Sequence, residues 1–224
     1  MIRLEQVSHR YGDRDVLREV DLTLGEPRIG VVGANGSGKS TLARMLNGLV
    51  VPSRGRVVVD GLDTARDGPT IRRRVGFIFS DPDAQIVMPT VIEDIEFSLR
   101  RQHLSRSERR QRATRTLARF GLLEYLDHPA HLLSSGQKQL LAMASVLISE
   151  PDVLVCDEPT TLLDRRNTRD IARLLAGLDQ QVVLVTHDLE LVAGWPRVVV
   201  LDEGRVVADG PGVTSIPAYL KLVG

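Results

Sequence analysis

The sequence predicts an α/β fold built on a parallel β-sheet. Short runs rich in β-branched residues alternate with helix-forming segments, and they read RIGVVG, RVVVDG, RVGFIF, DVLVCDE, QVVLVTH and RVVVLDEGRVVADG. The runs DVLVC and VVLVT are apolar throughout, as in strands that are covered on both faces of a parallel sheet. The N-terminal runs RLEQVSHRY and VLREVDLTL alternate instead, which predicts an antiparallel sheet with one exposed face.

A helical segment interrupts this pattern of strands. The strand signal disappears between about Val91 and Leu147, so we expect a single domain, 1–224, with a helical subdomain inserted at about 88–148. Arginines are concentrated in the first part of this segment, namely Arg100, Arg101, Arg106, Arg109, Arg110, Arg112, Arg115 and Arg119. They form either a solvated helix surface or a contact for a partner or for lipid head groups.

The composition excludes several classes of function. Its 29 basic residues balance 29 acidic ones, so the net charge does not indicate a nucleic-acid partner. No apolar run approaches the roughly 20 residues that span a bilayer, and the N-terminus MIRLEQVSHRYG lacks the core of a signal peptide. The single cysteine, Cys156, allows no internal disulfide. We therefore expect a soluble intracellular protein.

The stretch GANGSGKST predicts a phosphate-binding P-loop. It follows the strand RIGVV and opens the helix STLARMLNGL, which is the context that such a loop requires. Backbone N–H groups wrap the phosphates, Lys39 reaches the β- and γ-phosphates, and the Ser40 hydroxyl ligates Mg²⁺. The candidate nucleotide-binding residues are Gly33, Ala34, Asn35, Gly36, Ser37, Gly38, Lys39, Ser40 and Thr41.

Two further strands end in side chains that suit phosphate chemistry. DVLVCDEP ends in Asp157 and Glu158, which point in different directions, so one can hold the water shell of a metal while the other addresses a nucleophilic water. The alternative is a polar strand end without a catalytic role. QVVLVTHDLE places His187 at the rim of the sheet that carries the P-loop, where it can contact a γ-phosphate.

The segment HLLSSGQKQLLAMASVL sets polar residues at the head of an apolar helix. Ser134 and Ser135 are good N-caps, and the N–H groups of a first helical turn form an anion site at the positive end of the dipole. Gly136 allows a ligand to approach the backbone closely. Taken alone the stretch fits a plain capped helix, but beside a P-loop it also fits a second phosphate-binding element.

Together these motifs resemble those of the ATP-binding subunit of ABC transporters, over essentially the whole chain. LSSGQ is similar to the family signature L-S-G-G-Q, with Ser135 in place of the first glycine. The resemblance implies a P-loop NTPase fold with a RecA-like parallel core. It also implies that ATP lies between the P-loop of one copy and Ser134, Ser135, Gly136 and Gln137 of another, in a homodimer or a pair with a related ATPase.

The resemblance assigns further residues through their motifs. Tyr11 corresponds to the aromatic residue that stacks on adenine, with a packed strand residue as the alternative, and Asp164 of TTLLD to the loop between the subunits. One position departs from the family, because VGFIFSDPDAQ has Ser80 where a glutamine normally touches Mg²⁺ and relays movement to the membrane subunits. We expect Ser80 to reach the metal through a water and Gln85 to face the membrane subunit.

The family resemblance also implies catalytic roles. Glu158 would polarise the attacking water, and His187 and Lys39 would stabilise charge on the γ-phosphate. Ser40 and Asp157 would hold Mg²⁺. The implied reaction is ATP hydrolysis with Mg²⁺ as cofactor.

Within the family, F-x-x-P-D-x-Q followed by VIEDIEFSL is similar to the ATPases of energy-coupling-factor importers for vitamins and metal ions. LSSGQKQ, without a long C-terminal extension, looks most like the biotin-uptake ATPases. This implies a peripheral subunit at the cytoplasmic face of the cell membrane, bound to a transmembrane coupling subunit and a substrate-binding membrane subunit. No contact with nucleic acid or with the transported solute is expected.

Three other functions fit part of the pattern. They are the ATPase of another ABC transporter, a soluble ABC ATPase of DNA repair or iron–sulfur assembly, and a P-loop kinase. Soluble ABC ATPases usually carry long insertions, which are not visible in the sequence. A kinase would have a substrate-binding lid where this chain has LSSGQ.

Overall fold

A computed structural model describes residues 1–224 of the chain, the side chain of Val223 excepted. The strands, in chain order, are β1 (Ile2–Tyr11), β2 (Arg14–Leu24), β3 (Arg28–Val32), β4 (Arg54–Val59), β5 (Leu62–Asp63), β6 (Val75–Ile78), β7 (Val153–Asp157), β8 (Gln181–Val185), β9 (Arg197–Asp202) and β10 (Arg205–Gly210). The α-helices are α1 (Lys39–Leu46), α2 (Gly68–Arg74), α3 (Val91–Ser98), α4 (Arg106–Arg119), α5 (Ser135–Leu147), α6 (Arg165–Ala176) and α7 (Gly212–Val223).

These elements belong to two units of the chain. The first unit comprises Met1–Phe77, Asp152–Glu158 and Leu178–Gly224. The second comprises Ile78–Pro151 and Pro159–Gly177. The bounds of about 88–148 that the sequence suggests for a helical subdomain stay a prediction. In the part of the chain that the structure describes, every helix is too short or too polar to cross a membrane.

An antiparallel sheet of four strands lies in the first unit, in the order β2-β1-β4-β5. β1 pairs with β2 on one side and with β4 on the other. Ile2, Leu4 and Val7 of β1 are buried, whereas Arg3 between them is exposed. One face of the sheet therefore packs into the core and the other meets solvent, which confirms the antiparallel sheet predicted from the alternation.

The second sheet of the first unit has six strands in the order β10-β9-β3-β8-β7-β6. β3 pairs in parallel with β8 and β9, and β7 pairs in parallel with β8. All residues of β7 are buried, as the apolar run predicted. The last run of the sequence folds back as an antiparallel hairpin of β9 and β10, because Glu203 and Gly204 have φ angles of 43° and 80°. The predicted α/β class is confirmed.

Parallel pairing aligns the carboxyl ends of three strands. Val31 of β3 lies opposite Val185 of β8, and Asp157 of β7 lies opposite the same Val185. The loops that follow β3, β7 and β8 therefore start side by side at one edge of the sheet. This edge carries most of the candidate site residues of the first unit, whereas Tyr11 lies at the end of β1 in the antiparallel sheet.

Capped helices form most of the second unit. α3, α4 and α5 each begin with a capping box, in which a serine or threonine and the Glu or Gln three residues on satisfy each other's backbone N–H groups. Buried Asp94 of α3 joins this helix to the preceding loop and to α5, since its carboxylate accepts hydrogen bonds from the N–H groups of Val87 and Met88 and from the Ser145 hydroxyl. α6 begins after the N-cap Asp164.

Candidate active site

The loop between β3 and α1 follows a path that requires glycine. Gly33, Gly36 and Gly38 have φ angles of 151°, 82° and 104°, which L side chains rarely adopt. A Cβ at Gly33 would overlap the carbonyl oxygen of Leu201, and one at Gly38 would lie 2.6 Å from the carbonyl oxygen of Val16. Both the backbone conformation and the available space therefore select glycine here.

Lys39 lies at the first position of α1 and turns its side chain back over this loop. Its Nζ donates hydrogen bonds to the carbonyl oxygens of Gly33 at 2.8 Å and Ala34 at 2.9 Å. Burial lowers the pKa of Lys39, while the nearby carboxylates of Glu158 and Asp157 oppose that shift. The ammonium is thus held in a poorly hydrated position, where its attraction for phosphate is stronger than in bulk water.

Ser40 and Asp157 meet at the edge of the sheet. The Ser40 hydroxyl donates a hydrogen bond of 2.8 Å to Oδ1 of Asp157, and Arg44 Nη2 lies 3.7 Å from Oδ2. Burial raises the pKa of Asp157, against the Ser40 hydrogen bond and the charge of Arg44, which lower it. Two hard oxygen ligands are thus available side by side, which is the chemistry that Mg²⁺ prefers.

Glu158, the residue after Asp157, forms a hydrogen-bonded pair with His187. His187 Nδ1 lies 2.6 Å from Glu158 Oε2, and the Glu158 N–H donates to the carbonyl oxygen of Val185. Glu158 has a φ angle of 54°, so its side chain leaves the direction that a regular strand would give it. A carboxylate that is hydrogen-bonded to an imidazole can orient a water and accept its proton.

Tyr11 ends β1 in the first unit. Half of its surface is exposed, and its ring meets the His9 ring edge to face with centroids 4.6 Å apart. The exposed part leaves room for a base to stack. Thr41 and Ser37 are buried within the phosphate-binding loop and α1, and the Ser37 hydroxyl has no hydrogen-bond partner among the described residues.

The LSSGQ segment forms the start of α5 in the second unit. The Ser134 hydroxyl accepts a hydrogen bond from the Gln137 N–H, and the Gln137 side chain accepts one from the Ser134 N–H at 2.8 Å. Ser135 is exposed at the first helical position. A Cβ at Gly136 would lie 2.7 Å from Cγ of Asn167. The capped helix is therefore present, and the phosphate-binding role of its first turn stays a prediction.

Asp164 links a second helix start to this segment. Its carboxylate caps α6 by accepting a hydrogen bond of 2.8 Å from the Asn167 N–H. Asn167 is the residue that fills the space beside Gly136. The structure therefore places Asp164 close to the LSSGQ helix within the second unit, through a neighbour that the sequence patterns did not single out.

The segment around Ser80 is fixed on both sides. Ser80 itself is exposed. Before it, the Phe79 N–H donates to Gln85 Oε1 at 3.3 Å, and the Phe79 carbonyl oxygen accepts from Gln139 of α5 at 3.4 Å. After it, Asp83 binds Lys138 of α5 through both carboxylate oxygens, at 2.7 and 3.0 Å.

The structure groups the predicted residues by unit. Lys39, Ser40, Asp157, Glu158 and His187 come together at one edge of the parallel sheet. The LSSGQ residues, together with Asp164 and Ser80, belong to the second unit.

Three contacts were missed by sequence reasoning, namely those of Arg44, Asn167 and Lys138. The Arg44 contact could have been found, because Arg44 follows Ser40 by one helical turn. The contacts of Asn167 and Lys138 depend on tertiary packing and leave no sequence signal.

The chain is similar to ABC transporter proteins over most of its length. The profile of the family described as ABC transporter matches residues 17–161. A putative ABC transporter ATP-binding protein of Deinococcus radiodurans is 51% identical over 219 residues, covering 98% of this chain and 97% of that protein. The biotin transport ATP-binding protein BioM of Rhizobium etli is 45% identical, with 99% and 98% covered. The energy-coupling factor transporter ATP-binding protein EcfA1 of Caldanaerobacter subterraneus is 38% identical, with 94% and 80% covered.

Solved structures of ABC transporter ATPases have the same fold as this chain. The structure of cbiO1 from Clostridium perfringens, part of the ABC transporter complex cbiONQ, aligns with a TM-score of 0.85 at 32% identity, covering 99% of this chain and 92% of that one. The dimeric structure of MJ0796, a bacterial ABC transporter cassette, aligns with a TM-score of 0.85 at 31% identity, covering 94% and 98%.

The bidentate pair of Lys138 and Asp83 should contribute measurably to stability. Lys138 is largely buried, with 16% of its side chain exposed, so we expect a coupling free energy of about 1 kcal/mol, at the upper end for ion pairs near a surface. Urea unfolding of Lys138→Met, Asp83→Asn and the double variant measures it. The control is the same cycle on Arg173 and Asp170, an exposed pair expected to couple by about 0.3 kcal/mol. Equal coupling in the two cycles would contradict the prediction.

Proposed function

Since this chain belongs to the ABC transporter family and is an ATPase, we propose that it energises an importer of the energy-coupling-factor type, with biotin as the favoured solute. The observation that carries the catalytic part is the cluster of Lys39, Ser40, Asp157, Glu158 and His187 at one edge of the sheet. The importer type and the solute are supported by relatives that are named biotin transport and energy-coupling factor transporter ATP-binding proteins.

In the proposed reaction ATP binds on the loop of residues 33–41. Lys39 is directed at this loop and, with His187, stabilises the negative charge that develops on the γ-phosphate. Glu158 orients and polarises the attacking water, and its hydrogen bond to His187 holds the carboxylate in position. Positioning and electrostatics supply the rate enhancement, because phosphoryl transfer needs little covalent chemistry from the protein.

Ser40 and Asp157 suit a bound Mg²⁺. Their oxygen atoms already lie within hydrogen-bond distance, and the raised pKa of Asp157 reports a buried carboxylate whose charge a nearby cation would stabilise. When bound, the ion would neutralise charge on the ATP phosphates. We assign Ser80 a contact to the metal through a water, because its hydroxyl is too short to replace a glutamine amide directly.

A second copy of the chain, or a related ATPase, completes each nucleotide site in this proposal. Ser134, Ser135, Gly136 and Gln137 of one copy, together with Asp164, contact the ATP that lies on the P-loop of the other. The N–H groups of the first turn of α5 support this role. The dimeric form of the similar MJ0796 cassette supports the arrangement. Tyr11 stacks on the adenine.

The remaining partners follow from the importer role. We place the chain at the cytoplasmic face of the membrane, bound to a transmembrane coupling subunit and associated with a substrate-binding membrane subunit. It contacts neither the transported solute nor nucleic acid. A non-transport ABC ATPase is not favoured, because the similar proteins are named as parts of transporters.

A substitution that keeps the shape of Glu158 tests the proposed catalytic carboxylate. Glu158→Gln keeps the shape of the side chain and removes its charge, so ATP binding should persist while hydrolysis falls by at least about 100-fold. Phosphate release and equilibrium ATP binding measure the two effects. Glu190→Gln, an exposed position in the same unit, is the control and should retain full turnover. Undiminished hydrolysis in Glu158→Gln would reassign the base.

The transport role is tested in cells that lack the chain. Uptake of labelled biotin should return with the wild-type gene and not with Glu158→Gln. Restored uptake of another solute instead of biotin would disprove the assignment of biotin but not the assignment of the chain to an importer. Purification from detergent without any membrane protein attached would overturn the importer itself.

Mixed dimers test the shared site. Lys39→Ala removes the P-loop cation, and Ser134→Arg blocks the first turn of α5, so neither variant alone should form a complete site. In a heterodimer of the two, one of the two sites keeps all its parts. Half of the dimers in a one-to-one mixture that pairs at random are heterodimers, so ATP binding should recover to about a quarter of the wild-type number of sites. Titration of the two variants singly and mixed provides the measurement. Binding in the mixture that is no better than in either variant would disprove shared sites.

Substitutions at Ser80 and at Gln85 should affect ATP hydrolysis and transport differently. Ser80→Ala removes only a water-mediated contact, so ATPase activity should fall modestly, by about 2-fold. Gln85 lies outside the proposed catalytic cluster and is proposed to face the membrane subunit. In Gln85→Ala, hydrolysis by the isolated subunit should therefore survive while transport by the assembled complex weakens. Both activities are measured for both variants. Loss of hydrolysis in Ser80→Ala, with normal transport in Gln85→Ala, would refute this division of roles.

A further inference from the structure

A cavity of about 410 Å³ opens on the antiparallel sheet of the first unit, away from the residues that carry ATP hydrolysis. Its lining includes Arg10, Arg18, Arg54, Arg205 and Ser8. We propose that this cavity binds an anion of the phosphate class. Its volume falls within the range of small-molecule sites, and the proposal does not depend on the proposed transport function.

The cavity lies on the solvent face of the sheet. Ser8 and Arg10 of β1 alternate with Val7 and His9, and the latter two are buried. The alternation places Ser8 and Arg10 on the face opposite to the core. Tyr11, the residue proposed to stack on adenine, is not part of the lining. None of residues 33–41 lines the cavity, although Leu17 of the lining packs against Gly38 of the P-loop.

Positive charge is in excess within this cavity. Four arginines face two carboxylates in the lining. Arg10 pairs with Asp15 at 2.9 Å and Arg205 approaches Glu19 at only 3.8 Å. Among the described residues, no carboxylate lies within ion-pair distance of Arg18 or Arg54. Guanidinium groups gathered in one place repel each other, and an anion between them would relieve this repulsion.

The backbone around Ser8 is irregular on both sides. The register of β1 with β2 shifts between Val7 and His9, and its register with β4 shifts before Ser8. Gln6 and Glu19 have φ angles of 49° and 50°, a conformation that is costly for residues with a side chain. Such bulges redirect side chains and are frequent at functional sites. Here the consecutive residues Arg18 and Glu19 of β2 both line the cavity beside Ser8.

Ser8 adds a hydrogen-bond donor to the charges. Its hydroxyl oxygen accepts a hydrogen bond from the Glu19 N–H at 2.9 Å. No acceptor for the proton of that hydroxyl is found among the described residues. The proton is thus available to an anion in the cavity. Guanidinium forks and a hydroxyl together match the several acceptor oxygens and the double charge of a phosphate group.

A phosphate group could reach the cavity on a soluble molecule or as a lipid head group. Pyrophosphate tests the first source, by calorimetric titration, in which binding at the P-loop is the part that the cavity variant retains. Sedimentation with phosphatidylglycerol vesicles tests the second, against phosphatidylcholine vesicles. The variant Arg18→Ala/Arg54→Ala should bind the relevant probe at least about tenfold more weakly than the wild type.

Arg3→Ala/Arg66→Ala is the matched control, because it removes the same charge from exposed positions of the first unit outside the cavity. It should bind as the wild type does, within about twofold. Far-ultraviolet circular dichroism and thermal melting verify that each variant is folded, and Arg18→Gln/Arg54→Gln replaces the alanine variant if that one does not fold.

The outcomes separate the sources. Pyrophosphate binding without vesicle binding assigns a soluble ligand, and vesicle binding that the variant loses assigns a lipid head group. Failure of the wild type to bind either probe would overturn the proposal. So would equal weakening in the cavity variant and in the control, since only net charge would then matter.

Discussion

Parallel pairing of β7 and β3 on either side of β8 is the constraint on which the candidate site depends. It brings Val31, Asp157 and Val185 to the same level, so the residues that follow these three strands begin at one edge of the sheet. The strands themselves are buried, and burial of a polar group without a partner costs free energy. Polar side chains therefore occur at the ends of these strands, and the proposed catalytic residues are among them.

Opposite charges at this edge stabilise each other. Lys39 and Asp157 are both buried, and either alone would be expensive to keep ionised. Each lowers the electrostatic cost of the other, as the opposing contributions to their pKa values show. Ser40 and Arg44, on one face of α1, complete the arrangement around Asp157. The start of α1 thus fixes both the phosphate-binding loop and the carboxylate that faces it.

Sequence reasoning could predict those parts of the molecule that depend on local rules. The glycines of the P-loop, the apolar strands and the polar strand ends all follow from spacing and periodicity. The capping box of Ser134 and Gln137 follows from a four-residue pattern. The bulges of β1 beside Ser8 could not be predicted, because they are set by pairing with β2 and β4, which come from different parts of the chain.

The orientation of Gln85 was beyond the same reasoning. The sequence suggested that its side chain faces a partner, whereas its amide oxygen accepts a hydrogen bond from the Phe79 N–H within its own segment. A residue on a loop can satisfy the backbone or a partner, and only the local geometry decides between them. Its role toward a membrane subunit stays a prediction.

Ser80, which stands where the family normally has a glutamine, lies in a segment that is held by contacts with α5. Phe79 on one side is bound to Gln139, and Asp83 on the other is bound to Lys138. Both partners belong to α5, whose first turn is the proposed contact for ATP. A displacement of α5 would therefore carry the backbone of Ser80 with it, because moving the segment alone would break an ion pair and a hydrogen bond. The position of the Ser80 backbone is therefore tied to α5 through its neighbours, whatever the length of its own side chain.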